Sequence, residues 1–312
     1  MARQVLAIIG PTSSGKSQVG MIVAERMNCE IISADSRQIY KYLDIGTAKP
    51  TVNDCNKIVH HFVDELLPDQ DFNAGEYLKQ GRNRIEEIFN RGRQPLIVGG
   101  SGLYIGALVD GFFEGPQAHP EIRSELEDRM QKEGIESLVN ELRNVDPISA
   151  AKMLPSNTRR IVRALEVYKI TGTPISEHHK TKDAASFKTV FVGLMWERKQ
   201  LYKRIDERVD WMFHNGLLNE VKNLIEMGYS LKNNSLQTVG YQEVFKFFEG
   251  AISFEYMVEL IKRNSRRYAK RQLTWFRRDE RIKWFDIKSE SDFDMVAEKI
   301  ISHFKNSVVF SE

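Results

Sequence analysis

Cysteine is nearly absent: Cys29 and Cys55 are the only two in 312 residues. They lie too far apart for a disulfide framework, and no CxxC spacing suggests structural zinc, which suits a reducing cytosol. Net charge is also small, +2, so a polyanionic partner has to be met by local basic patches and not by bulk charge. Long apolar runs are missing as well. The uncharged stretch from Pro95 to Val109 falls short of the about 20 residues of a membrane span, and Gly99, Gly100, Gly102 and Gly106 interrupt it. Val5 to Ile9 is too short for a signal-peptide core and runs into a glycine-rich motif. No targeting segment is therefore expected, and the reading is a cytoplasmic protein without a membrane role. Repeats and low-complexity tracts are not seen.

What is present is the composition of a globular chain, 41% hydrophobic and 28% charged, long enough for one large α/β domain and a smaller one. Val5–Ile9, Glu30–Ala34 and Leu96–Val98 read as buried strands, with helical patterns at Lys16–Met27 and Glu76–Arg91. Strands alternating with helices predict a parallel sheet covered on both faces. From Glu121 to about Lys188 the pattern is helical, and Thr189–Met195 reads as a strand returning to the sheet. The remainder is mostly helical, with Ile282–Phe285 as a last edge strand. The expected organisation is a core at 1–117, a helical insertion at 118–187, and core completion with C-terminal helices at 188–312.

Gly10-Pro11-Thr12-Ser13-Ser14-Gly15-Lys16-Ser17 matches G-x-x-x-x-G-K-[ST] between a strand and a helix. Backbone N–H groups free at a helix start point at anionic oxygens, Lys16 adds a point charge, and the Ser17 hydroxyl suits Mg²⁺. The loop reads phosphate. A nucleoside triphosphate and an allylic diphosphate both satisfy it.

The second strand ends in Asp35-Ser36-Arg37-Gln38, at the carboxyl edge where doubly wound sheets bind ligands. Asp35 there suits a Mg²⁺ ligand, a general base or a helix N-cap, and the residues alone do not choose. Asp44–Pro50 and His60-His61 read as a long polar loop near the same edge. Gly99-Gly100-Ser101-Gly102 ends the third strand, and its glycines suggest close approach to a ligand or to the first loop.

Two basic patches are present; the first, taken alone, reads as a solvated helix face before an RNA surface. Ser156–Gly172 has helix start and stop signals and carries Arg159, Arg160 and Arg163 in its first turns. Lys262–Lys283 holds ten basic residues against two acids, with Tyr268, Trp275 and Phe276 interleaved. There the basic side chains are expected to meet RNA, and Trp275 and Phe276 to pack in the core.

The blocks GPTSSGKS, SADSRQIY, DIGTAKP, HHFVDE, VGGSGLY, RALEVYKITGTPIS, RVDWMFHNGLLNEV and YAKRQLTWFRR, spread from about Val5 to Trp284, resemble the bacterial tRNA dimethylallyltransferase family. The resemblance implies a P-loop core with an inserted helical domain that contacts tRNA, Mg²⁺, and transfer of a dimethylallyl group from its diphosphate. The acceptor it implies is N6 of the adenine on the 3′ side of the anticodon. Gly10 to Ser17 would then hold the diphosphate, with Ser17 also the metal ligand. Asp35 is the implied base, and Arg208 the residue for the leaving diphosphate. Asp35, Ser36, Arg37, Gln38, Ser101, Arg123, Arg159, Arg160, Ile161, Val162 and Arg163 would face tRNA, bound through its anticodon stem-loop by a monomer. The family has Thr where this chain has Ser17 and Ser101, which keeps the hydroxyl. It reads N-D-x-Q-R-I where this chain has Ser156-Asn157-Thr158-Arg159-Arg160-Ile161, losing the Asp and the Gln. The competing expectations are a P-loop nucleotide or nucleoside kinase, an adenylate prenyltransferase acting on free AMP, and an RNA-binding NTPase switch.

Overall fold

A computed structural model describes residues 3–113, 115–116, 119–180 and 185–309. The chain divides into two compact units, Met1–Val109 with Ala185–Glu312, and Asp110–Ala184.

The first unit opens with β1 (Gln4–Ile9), α1 (Lys16–Met27), β2 (Cys29–Ala34), α2 (Val52–Lys57), β3 (His60–His61), α3 (Ala74–Asn90), β4 (Gln94–Gly99) and α4 (Gly102–Asp110). The second unit holds α5 (Pro120–Glu133), α6 (Ile135–Val145), α7 (Pro147–Ala150), α8 (Thr158–Thr171) and α9 (Ile175–His178). The chain then completes the first unit with β5 (Lys188–Trp196), α10 (Arg198–His214), α11 (Leu217–Glu226), α12 (Tyr241–Phe248), α13 (Phe254–Phe276), β6 (Lys283–Ile287) and α14 (Phe293–Val309).

All six strands are parallel, in the order β3-β2-β4-β1-β5-β6. Central β1 pairs Ile8 with Val98 on one side and with Val192 on the other. β1 and β2 are buried along their whole length, the state in which continuous apolar runs rather than alternating ones are stable. Successive side chains go to opposite faces. Val5, Ala7 and Ile9 join a core with Tyr77, Ile85 and Ile88 of α3 and Leu108 of α4. Leu6 and Ile8 join Val19 and Val23 of α1 and Ile300 and Phe304 of α14. The sheet is thus sealed on both faces, and ligands are left its carboxyl edge.

The helical unit has its own core, built on Leu126, Leu138, Leu142, Ile161 and Leu165. The boundary expected between residues 117 and 118 lies outside the described residues. At the other end, Phe187, expected in the insertion, packs in the core of the sheet-bearing unit instead. His60-His61, expected as loop, forms edge strand β3 beside Ile31 and Ile32. The cause is local: His61 Nε2 lies 2.8 Å from the buried Glu30 carboxylate, which Arg91 also binds. The predicted edge strand near Ile282 is β6. Among the described residues no helix is long and apolar enough to cross a membrane.

Candidate active site

β1 lies where the sheet order reverses, so the loop leaving it opens into the crevice that such sheets use for ligands. Helix bonding in α1 starts with Val19 N–H to Gly15 O, so the N–H groups of Lys16, Ser17 and Gln18 have no acceptor within the helix. Two side chains hold the loop's carbonyls from the far side. Trp196 Nε1 donates to Ser14 O at 2.9 Å, and Arg204 Nε to Ser13 O at 3.0 Å. Arg204 is itself fixed over the Trp196 ring and by an ion pair with Glu290. At Gly15, with φ +83°, an added Cβ would come within 2.4 Å of the Phe293 ring. Glycine is required there both by conformation and by space.

Lys16 enters the cleft with no carboxylate within 4 Å among the described residues; its ammonium touches only Pro11 O, at 3.3 Å. Loss of hydration lowers its pKa to about 8, with the charge of Asp35 opposing and Arg208 assisting. Arg208 of α10 donates from Nη1 to Thr12 Oγ1 at 2.8 Å, and its buried Nε has no partner among the described residues. Burial lowers this guanidinium from its usual value and Asp35 opposes, but it stays charged at neutral pH. Two under-neutralised cations beside open N–H groups make an anion site.

Asp35 follows β2 and lines the same cleft as Lys16, Ser17 and Arg208, a cavity of about 1190 Å³. Its Oδ1 accepts the Arg37 N–H at 2.9 Å in a tight turn. No α-helix begins there, since α2 starts at Val52 under Thr51 as cap, so the helix N-cap role for Asp35 is removed. Arg37 donates to Asn234 O at 2.9 Å. Gln38 turns inward: its amide donates to the carbonyls of Thr47 and Ala48 and accepts from Ser33 Oγ. Ser36 is half-buried and lines the cleft.

Ser101 immediately precedes α4 and donates its N–H to Ala34 O. The glycines around it do meet close neighbours, and the neighbours are protein. A Cβ at Gly99 would strike Ala34 O, one at Gly100 the Gln272 amide, and one at Gly102 the Trp275 ring, each within 2.4 Å. Buried Gln272 of α13 accepts from Thr12 N–H at 2.8 Å and donates to Gly100 O at 2.9 Å. It ties the loop after β1 to the loop after β4. Sequence reading missed Gln272, Trp196 and Arg204; the one signal was Gln272 on the buried stripe of α13 with Ala269 and Phe276.

The geometry yields a pH dependence. Full anion affinity needs Lys16 charged, and a bound anion raises its pKa further, so affinity is greatest below about pH 8 and declines above it. Pyrophosphate affinity, followed calorimetrically without Mg²⁺ from about pH 7 to 9.5, should fall by about tenfold per pH unit beyond that point. A Lys16→Met variant should flatten the profile.

Residues 38–279 match a family model described as IPP transferase. The tRNA dimethylallyltransferase of Pelotomaculum thermopropionicum is 46% identical over 301 residues, covering 95% of each chain. Among solved structures, the full-length tRNA isopentenylpyrophosphate transferase from Bacillus halodurans superposes with a TM-score of 0.72 at 36% identity, covering 100% of this chain and 99% of that one. A eukaryotic dimethylallyltransferase acting on tRNA gives 0.85 at 28% identity, covering 100% and 80%. The chain belongs to the tRNA dimethylallyltransferase family. That membership supports neither the kinase nor the free-adenylate reading.

In this family member the helical unit separates the residues expected to meet tRNA into three kinds. Arg159 and Arg160 are exposed on α8, with no ion pair among the described residues. Arg163 and Arg123 instead converge on Glu166, whose side chain is fully buried; Nη1 of Arg163 lies at 2.7 Å and Nη2 of Arg123 at 2.9 Å, and His119 N–H adds a third bond. Burial alone would raise this carboxyl, but those bonds hold it below the usual range. Ile161 and Val162 face the unit's core, 1% and 5% exposed. Their side chains have no surface to offer RNA, which corrects the expectation for both: α8 needs them as its buried stripe.

The α13 patch divides likewise. Lys262 and Arg266 brace α10 through Asp210 and Asp206, while Arg267, Lys270, Arg271 and Arg278 are exposed without a carboxylate within 4 Å among the described residues. Phe276 is buried as expected. Trp275 is not; it is 46% exposed because it lies across Gly102 at the start of α4.

Proposed function

We propose that this chain transfers the dimethylallyl group of dimethylallyl diphosphate to N6 of the adenine 3′ to the anticodon of tRNA, releasing diphosphate. The observation that carries the reading is that the anion cradle and the Asp35 carboxylate face one cleft. The C1–O bond of the donor breaks, its electron pair leaves with diphosphate, and an N6–C1 bond forms. Lys16 and Arg208 offset the charge growing on the departing oxygen, the kind of preorganised stabilisation that is strongest away from water. Asp35 takes the amine proton. The acceptor base has to leave its stack to enter the cleft, as in other base-modifying enzymes.

Mg²⁺ fits this cradle. It needs only one or two protein oxygens besides substrate phosphates, and the exposed Ser17 hydroxyl, without a hydrogen-bond partner among the described residues, can serve as one. Bound there, Mg²⁺ would neutralise diphosphate charge. The same reading has the chain work as a monomer in the cytoplasm. Labelled dimethylallyl diphosphate with Mg²⁺ and either tRNA or AMP tests it: label should appear in tRNA, and label in AMP alone would overturn it.

On the tRNA side, Arg159→Ala with Arg160→Ala should reduce the slope of log K against log salt by roughly 0.7 to 0.9 for each phosphate that α8 no longer neutralises. Arg163→Ala should act differently, destabilising the helical unit by about 1–3 kcal/mol because Glu166 loses a buried partner. Salt titration of tRNA binding, beside thermal melts, separates the two. An unchanged slope in the double variant would return that face of α8 to plain solvent.

A further inference from the structure

The loop between Leu43 and Pro50 lines the cleft with Gly46, Thr47 and Lys49, and its backbone is held from outside by one side chain. The N–H groups of Asp44, Ile45 and Gly46 all donate to the Glu220 carboxylate of α11, at 3.0, 2.7 and 3.2 Å. The Tyr241 hydroxyl donates to the same carboxylate at 2.5 Å, and its ring fills the space a Cβ at Gly46 would need. Three consecutive N–H groups turned one way form an anion-binding nest. Here the anion is part of the protein.

The loop would not keep this shape unaided. Tyr42 and Ala48, which bracket the nest, have φ of +68° and +48°, values that non-glycine residues keep only where their surroundings enforce them. From the loop the constraint passes inward. The carbonyls of Thr47 and Ala48 receive the Gln38 amide, whose Oε1 is held by Ser33 Oγ at 3.1 Å. Ser33 and Gln38 flank Asp35, so both ends of the segment bearing the carboxylate are fixed by this chain of hydrogen bonds.

We propose that Glu220 is a positioning residue for the acceptor side of the cleft: it gathers the 44–46 amides and, through Gln38, sets the segment 35–38 that carries Asp35. The inference rests on the prenyl-transfer reading for what that segment receives, and not for the linkage itself. Glutamine replaces it only in part: its one oxygen can serve the Asp44 and Ile45 N–H groups, while its NH₂ would face the Gly46 N–H in place of an acceptor oxygen.

Glu220→Gln should keep its melting temperature within a few degrees and bind pyrophosphate within about twofold of wild type. Its kcat/KM for an anticodon stem-loop RNA should fall by about 30-fold, since small displacements of a reacting group cost one to two orders of magnitude. Amide exchange at Asp44, Ile45 and Gly46 should accelerate. Tyr241→Phe, which removes one of four bonds, should lose less. Adding Gln38→Ala to Glu220→Gln should cost little more, because both act through one loop. Equal losses for pyrophosphate and RNA, fully additive losses, or wild-type turnover with the amides deprotected would each overturn the proposal. If the wild-type protein does not prenylate the RNA, the prenyl-transfer reading fails, and amide exchange with RNA affinity still decides the linkage.

Discussion

Asp35→Asn should lower kcat for prenyl transfer by roughly 10²- to 10⁴-fold, the usual cost of losing a general base. The substitution keeps the shape of the side chain, and Asn can still accept the Arg37 N–H that Asp35 now receives. A purely structural turn residue would therefore leave the rate nearly intact. If the carboxylate were instead the main anchor for Mg²⁺, donor affinity would fall and excess Mg²⁺ would recover part of the rate. A base should show neither effect, with pyrophosphate and tRNA affinities at neutral pH within a few-fold of wild type. Single-turnover prenylation across a Mg²⁺ titration distinguishes these cases. A rate close to wild type would remove Asp35 from the chemistry.

Lys16→Ala is expected to lose at least about 100-fold in kcat/KM, about 2.7 kcal/mol of transition-state stabilisation. The loop itself should survive. Its carbonyls at Ser13 and Ser14 remain bound to Arg204 and Trp196, and among the described residues the only bond removed is a long one to Pro11 O. Arg208 keeps some anion affinity in place, so pyrophosphate binding should weaken rather than vanish. Steady-state kinetics with varied dimethylallyl diphosphate, beside calorimetry with pyrophosphate, measures both quantities. Turnover like that of wild type would mean that the cradle does not hold the donor.

What the sequence showed was mostly what is local in it. The strand, glycine turn and helix from Gln4 to Met27 are contiguous, so their pattern carries both the fold and the phosphate chemistry. Asp35 was visible as an acid past a strand end, but its N-cap reading fell only when the structure showed that no helix starts there. The residues that shape the cradle from behind were illegible for a simple reason. Trp196 and Arg204 reach the loop across 182 and 191 residues, and Gln272 across 260; no spacing rule links such positions. Glu220 lies in the first turn of α11, and its amide partners are 174 to 176 residues away, so nothing local pointed to it. Trp275 misled because hydrophobicity argues for burial, whereas its ring lies against Gly102 with 46% of the residue still exposed. For Arg163 the charge was legible and the partner was not: it bonds the buried carboxylate of Glu166.

During synthesis the central strand waits for its second neighbour. β1 can pair with β4 once Gly99 has been added, but its other edge is matched by Lys188 to Gly193. At about 5–20 residues per second the interval between Ile9 and Gly193 lasts roughly 10–40 s. Through that time the nascent chain carries an open, wholly apolar strand edge from Val5 to Ile9, the kind that pairs with whatever strand it meets. The helices made meanwhile, α5 to α9, close on a core of their own and take no strand from the sheet. The insertion thus lengthens the wait of β1 without competing for it, and the arrival of β5 both shuts the edge and brings Trp196 to the phosphate loop.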